Sequence, residues 1–329
     1  MPRRIPNTQT GSLTDNQHGT NDTLIGVDPA VNDLYGDALS MFDSARGGND
    51  TVIGAPGASQ SLFGDARSMF DDTRGGNDTL MSSGGDTLWG DSWEMWGNVR
   101  GGNDTLIGGD ALLNSYFYGD TGFMGGNSRG GNDTVLGGSG LETFLHGDAG
   151  IMLDTARGGN DHLTAGDSTF SSLHGDARIM VGDSRGGNDT LIGSAGQVSF
   201  LFGDAFDMRD NARGGDDALI SGTGTDHMWG DGQVLNGVAA SPTAPTGSVV
   251  TGTDTFVFAP GNGDDFVYDL RQGDHDRIDV SAWGFQSLAD LTIVDTGADT
   301  RIEFDATNSV TLVGFGDPAV LHGSDFIFA

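Results

Sequence analysis

The chain has 329 residues, 36% of them hydrophobic, with 57 glycines, no cysteine, and 47 acidic residues against 15 basic ones, for a formal charge of −32. That balance argues against nucleic acid or an anionic membrane as partner and favours cations. The missing cysteines exclude disulfides, and no apolar run is long enough to span a membrane.

In chain order, residues 1–18 read as an N-terminal tail. MPRRIPNTQTGSLTDNQ carries two arginines with no apolar run behind them, so it is not a Sec-type signal peptide. From residue 19 the chain repeats itself. The aspartate of an Asn-Asp or Asp-Asp step falls at Asp22, Asp50, Asp78, Asp104, Asp133, Asp161, Asp189 and Asp217. The aspartate of a Gly-Asp step falls at Asp37, Asp65, Asp91, Asp120, Asp148, Asp176, Asp204 and Asp231. From a Gly-Asp aspartate to the next Asn-Asp aspartate the interval is always 13, as from Asp37 to Asp50, whereas the return interval drifts between 13 and 16. A segment held to one length is ordered, and the drifting one is a tolerant loop.

Each unit carries two apolar runs, one like Thr51-Val52-Ile53 and one like Ser61-Leu62-Phe63, flanked by Gly, Asp and Asn. They predict strands of three or four residues between turns. Such a unit cannot bury a face alone, but stacked copies pair each strand with its counterpart about 4.8 Å away. The expected fold is all-β, a right-handed parallel β-roll (a β-solenoid) of about eight coils, each of roughly 28 residues, over 19–235. Stacking turns the Asn-Asp aspartates into a column of carboxylates about 5 Å apart, each pair repelling by about 1 kcal/mol even in water. Counter-charge is needed. Carboxylates with exposed turn carbonyls make an oxygen-only site that suits a hard cation such as Ca²⁺. The lack of Cys and scarcity of His argue against zinc or copper.

The run Arg-Gly-Gly-Asn-Asp-Thr-Leu-Ile-Gly resembles the nonapeptide of RTX (hemolysin-type) calcium-binding repeats. The resemblance implies a β-roll binding several Ca²⁺ ions between stacked turns. Gly48, Asp50 and Val52 match the motif's glycine, aspartate and inward apolar residue, and Gly102, Gly131 and Gly187 match likewise with their aspartates. With Gly76, Gly159 and Gly215 they complete the glycine set. The other turn matches well only at Gly222, Gly224, Asp226 and Met228, with Asp86 and Glu142 as partial matches and Gly261, Gly263 and Asp265 as one more turn in the C-terminal part. Expected metal residues are therefore the eight Asn-Asp aspartates, Asp226, Asp265 and Gly48, Gly76, Gly102, Gly131, Gly159, Gly187 and Gly215.

The chain departs from the motif by an insert between the Gly-Asp and Gly-Gly-Asn-Asp steps. It holds a methionine four residues after the Gly-Asp aspartate, from Met41 to Met208, and predicts an ordered side lobe with its own small core. Arg46, Arg74, Arg157 and Arg185 follow the Gly-Asp aspartate by nine. Either that pair closes the lobe as an ion pair, or the Gly-Asp aspartate joins the metal; Asp43, Asp71 and Asp154 could add ligands. The aromatic or His residue before each Gly-Asp step, from Tyr35 to Trp229, predicts packing against the methionines, with a carbohydrate platform as alternative. A threonine column from Thr23 to Thr190 fits an outward strand position, with an ice-binding face as alternative.

Residues 236–250 read as a Pro/Ser/Ala-rich linker and 251–329 as a capping and secretion region. The latter resembles the C-terminal block of serralysin-type proteases and other type I secretion substrates. Its alternating runs predict antiparallel strands over the open end of the stack. Enzyme motifs such as His-Glu-x-x-His and Gly-x-Ser-x-Gly are absent, and no catalytic domain is expected ahead of the repeats. The expected protein is a secreted, extracellular, non-enzymatic calcium binder that meets the type I secretion machinery. The alternatives are a calcium-dependent adhesin, a self-assembling surface-layer or filament protein, and a binder of cell-surface polysaccharide.

Overall fold

The computed structural model describes residues 11–26, 33–57, 59–110, 113–195 and 198–329. The first ten residues of the expected tail lie outside them. The architecture is a parallel β-solenoid of about eight turns spaced by about 28 residues. Three sheets of 10, 11 and 12 strands run its length. The 11-stranded sheet stacks the Thr51–Ile53 type of strand, and the 12-stranded sheet the Ser61–Phe63 type, residue on equivalent residue. Leu24, Val52, Leu80 and Leu106 from one sheet meet Leu34, Leu62, Leu88 and Phe117 from the other in a continuous core. In the 11-stranded sheet only the middle residue of each three-residue strand is buried, with half-buried neighbours on either side.

The insert is more than a lobe. It supplies the third sheet, through strands such as Ala38–Met41 and Ala66–Asp71. Met41, Met69, Met95, Met124, Met152, Met180 and Met208 are fully buried there and, with alanines such as Ala45 and Ala156, form the expected second core. Opposite this sheet the arginines pair as single bridges, Arg46 with Arg74, Arg74 with Arg100 and onward to Arg213. Each coil is thus two-lobed, with a neck between the lobes. The second lobe closes on itself at a left-handed residue: Asp43, Asp71, Asp154 and Asp210 with φ near 60°, or Gly97, Gly126 and Gly182. Those aspartates are exposed turn-formers whose carboxylates accept N–H groups of the adjacent coil, as Asp43 does from Asp15 at 3.2 Å.

The stack extends past both expected boundaries. Ser12–Leu13 pairs with Ser40 and Met41. Residues 236–250 are no linker: Val238–Ala239 folds back on Val234 and Leu235, Val249 enters the methionine core, and Val250 bridges Arg213. Thr255–Val257, Arg277–Asp279 and Phe326–Ile327 then continue the 11-stranded sheet. Thr292–Asp295, Thr300–Glu303 and Ser309–Leu312 form the expected antiparallel cap. The aromatic residues do not pack on the methionines. Tyr35, Phe63, Trp89, Tyr118, His146, His174, Phe202, Trp229 and Tyr268 stack on one another along the outer side, with centroids 4.1 to 5.9 Å apart and planes within 24°.

Candidate metal centre

The fixed interval of 13 is the circumference of the second lobe: it starts and ends at the neck, so the two kinds of aspartate meet there. Oxygens of Asp65, Asp78 and Asp91 lie within 4.8 Å of one another, and so do oxygens of Asp91, Asp104 and Asp120. The Gly-Asp aspartates therefore belong to the acidic neck. They make no ion pair with arginine among the described residues. Arg46 and its equivalents alternate with inward residues such as Ala45 and point to solvent.

Each aspartate is held by backbone. The N–H of Asp22 donates to Asp50 Oδ1 at 2.5 Å, that of Asp50 to Asp78 at 2.6 Å, and that of Asp104 to Asp133 at 2.7 Å. The same bond recurs through Asp161, Asp189 and Asp217. It goes on to Asp254 and Asp276, which the sequence reading passed over. Across the neck, Gly48, Gly76, Gly102, Gly131, Gly159, Gly187 and Gly215 donate their N–H groups to the Gly-Asp carboxylates at 2.7 to 3.2 Å. Asp231 continues that second column, accepting from Gly252 at 2.7 Å, and Asp269 beyond it accepts from the N–H groups of Gly230 and Asp231. These glycines are required by space: a Cβ on Gly131 would overlap the carbonyl oxygen of Gly102.

Most of these aspartates keep one oxygen to spare, whereas Asp37, Asp91, Asp120 and Asp276 accept on both. Among the described residues, Oδ2 of Asp50, Asp78, Asp104, Asp133, Asp161, Asp189, Asp217 and Asp254 is buried without a hydrogen-bond partner, and so are Oδ2 of Asp148, Asp176 and Asp204 and Oδ1 of Asp65. At the amino-terminal end of the two columns Asp22 and Asp37 are half-buried. Gly36 shows what surrounds such an atom, because a Cβ there would overlap both Asp50 Oδ2 and the carbonyl oxygen of Gly64. Burial pushes the carboxyl of Asp50 up to about 8 and those of Asp148 and Asp276 up to about 7, with nearby aspartates adding to the push. Asp104, Asp120, Asp161 and Asp204 go well above the usual range for the same two reasons. Buried, unpaired carboxylate oxygens in two facing columns are costly unless a cation or a proton neutralises them. The donor set is oxygen only, which fits a hard divalent ion.

The opposite turn shows the contrast. Ser115, Thr143, Ser171, Ser199 and Asp226 are in register there, all buried. Neutral hydroxyls replace most of the carboxylates, so this column carries little charge. Asp86 accepts N–H groups from Gln60 and Ser83, and Asp226 from Gly222. Asp265 accepts from the Asp226 N–H and the Ser221 hydroxyl. Glu142 is outside the column and takes the Asn114 amide at 2.7 Å. The predicted residues Asp226 and Asp265 thus lie together, but away from the neck.

No known family model matches the chain, and no curated protein matches it. The chain is a parallel β-solenoid repeat protein with buried aspartate clusters able to hold metal ions.

Proposed function

We propose that this is an RTX-type calcium-binding β-roll, exported by a type I route and completing its fold outside the cell, with a structural rather than catalytic role. The observation that carries the reading is the file of buried aspartate oxygens without partners at the neck. The Oδ2 atoms of Asp50, Asp78, Asp104, Asp133, Asp161, Asp189, Asp217 and Asp254, with the free oxygens of Asp65, Asp148, Asp176 and Asp204, are the atoms that would hold the ions. Bound calcium supplies the counter-charge that these carboxylates lack. Where calcium is scarce, the ionised columns repel and the neck stays open, leaving the chain extended. At about millimolar calcium, sites of the extracellular kind, with Kd of roughly 10⁻⁴–10⁻³ M, fill, and their binding energy becomes folding energy. The C-terminal block is the segment the export machinery reads.

Circular dichroism with calcium and after chelation tests this, together with a count of ions on the folded chain. The expected result is a β-signal that appears on calcium addition, with several ions per chain. A β-signal and melting temperature unchanged by thorough chelation at neutral pH would refute it.

A further inference from the structure

The 12-stranded sheet and the third sheet meet at an inward corner outside the neck, and the stacked rings from Tyr35 to Tyr268 run along that corner. Midway the filling beside them is interrupted. On the third sheet Gly122 and Gly150 stand where Trp93 and Phe206 stand at either end. On the 12-stranded sheet the small Ser172 stands between Phe144 and Phe200 in a run of rings that starts at Tyr116 and goes on to His227, and the tilted ring of Phe170 bridges to both, 6.0 Å from Phe144 and 5.4 Å from Phe200. Trp93 packs edge-on against Trp89 and Phe123, and Phe206 against Phe202, which closes both ends. The result is a groove of about 590 Å³, within the range of small-molecule sites.

Two polar features face it. His174, only 3% exposed, lines the groove; its Nε2 meets the Ser172 hydroxyl at 3.1 Å and its Nδ1 has no partner. Arg178 also lines the groove, is exposed, and makes no ion pair among the described residues. Burial holds the imidazoles of His146 and His174 neutral, and the Arg178 charge pushes the same way. The ring stack decides the ligand class. Tyr118, His146, His174 and Phe202 lie face to face with planes within 17°, so their faces are taken and only their edges reach the groove. Sugars need open ring faces, and the stack that walls the groove offers none. Ring edges carry partial positive charge and prefer the face of another π-system, or an anion.

We propose that the groove at Gly122, Gly150 and Ser172 binds a flat aromatic molecule carrying one carboxylate, its ring met by the edges of the stack and its carboxylate by Arg178. The site is separate from the acidic neck and does not depend on which ion the neck holds.

Isothermal titration of the full chain, folded in calcium, with 2-naphthoate tests this. One saturable site per chain is expected. Ser172→Leu fills the notch and removes it. Arg178→Gln weakens 2-naphthoate about tenfold and leaves 2-naphthalenemethanol unchanged. Because Arg178 holds no ion pair, its result stands even if Ser172→Leu fails to fold. Absence of saturable naphthoate binding, equal naphthoate affinity in Arg178→Gln, or tighter binding of decanoate or cellotetraose would each overturn the proposal.

Discussion

Replacing Asp133 by Asn tests the acidic neck through the sign of a stability change. Asp133 is 2% exposed, its Oδ1 takes the Asp104 N–H at 2.7 Å, and its Oδ2 has no partner. An asparagine keeps the shape and the Oδ1 acceptor but removes one charge from the middle of the column. The equivalent aspartates above and below are one strand spacing away. Between ionised neighbours at about 4.8 Å the repulsion is about 3 kcal/mol per pair at the effective dielectric of a protein surface. With calcium chelated, Asp133→Asn therefore stabilises whatever folded state persists. With calcium the sign reverses. If each site has a Kd of about 10⁻⁴ M, 10 mM calcium contributes about 2.7 kcal/mol per site. Asp133 borders two gaps between coils, so its loss costs about 3–5 kcal/mol. Urea unfolding followed by circular dichroism, in 10 mM calcium and in EDTA, reads both values, and equilibrium dialysis counts one or two fewer ions in the variant. A variant that is more stable than the parent in calcium as well as in EDTA would show that these carboxylates hold no cation.

Three further outcomes follow from the same geometry. Met152→Ala, at a fully buried position in the second core, costs about 2–5 kcal/mol in the same urea assay. Arg129→Gln, exposed and without an ion pair among the described residues, changes stability by less than about 0.5 kcal/mol; a loss above about 2 kcal/mol would restore the discarded arginine clasp. The third concerns pH. The Asp50 carboxyl is raised to about 8 and that of Asp148 to about 7 by burial, so between pH 4 and 8 the folded chain without metal binds more protons than the unfolded one. Stability in EDTA is then highest in mild acid and falls as pH rises through that window. Melting curves in EDTA at pH 4.5 and 7.5 check this, and calcium removes the loss at pH 7.5.

Much of this was legible in the residues. The period, the strands around Val52 and Leu62 and the inward methionines all follow from repeated spacing, because stacking turns equal intervals into columns. What failed is instructive. Spacing alone offers Arg46 as one of two partners for Asp37, yet strand alternation with the inward Ala45 already sends Arg46 outward. Asp254 was passed over because the excursion through Val238 and Val249 stretches the interval from Asp217 to 37 residues. Asp65 and Asp91 were left undecided because the sequence gives the length of a loop but not that its two ends touch. The aromatic residues could have been placed by asking which side of Leu62 faces the core, since Phe63, next in the strand, must face away from it.

The bonds along the neck also have a direction. Asp22 N–H needs the carboxylate of Asp50, Asp50 that of Asp78, and so on. Every rung borrows its acceptor from the rung that follows. The series terminates at Asp276, whose second oxygen is occupied at 2.7 Å by the N–H of Arg271. Trimming rungs from the amino-terminal end would leave the remainder intact and merely shorter. Cutting behind Asp254 would orphan its N–H and unseat each rung above it in turn, so the carboxy-terminal block is the keystone on which the column is laid.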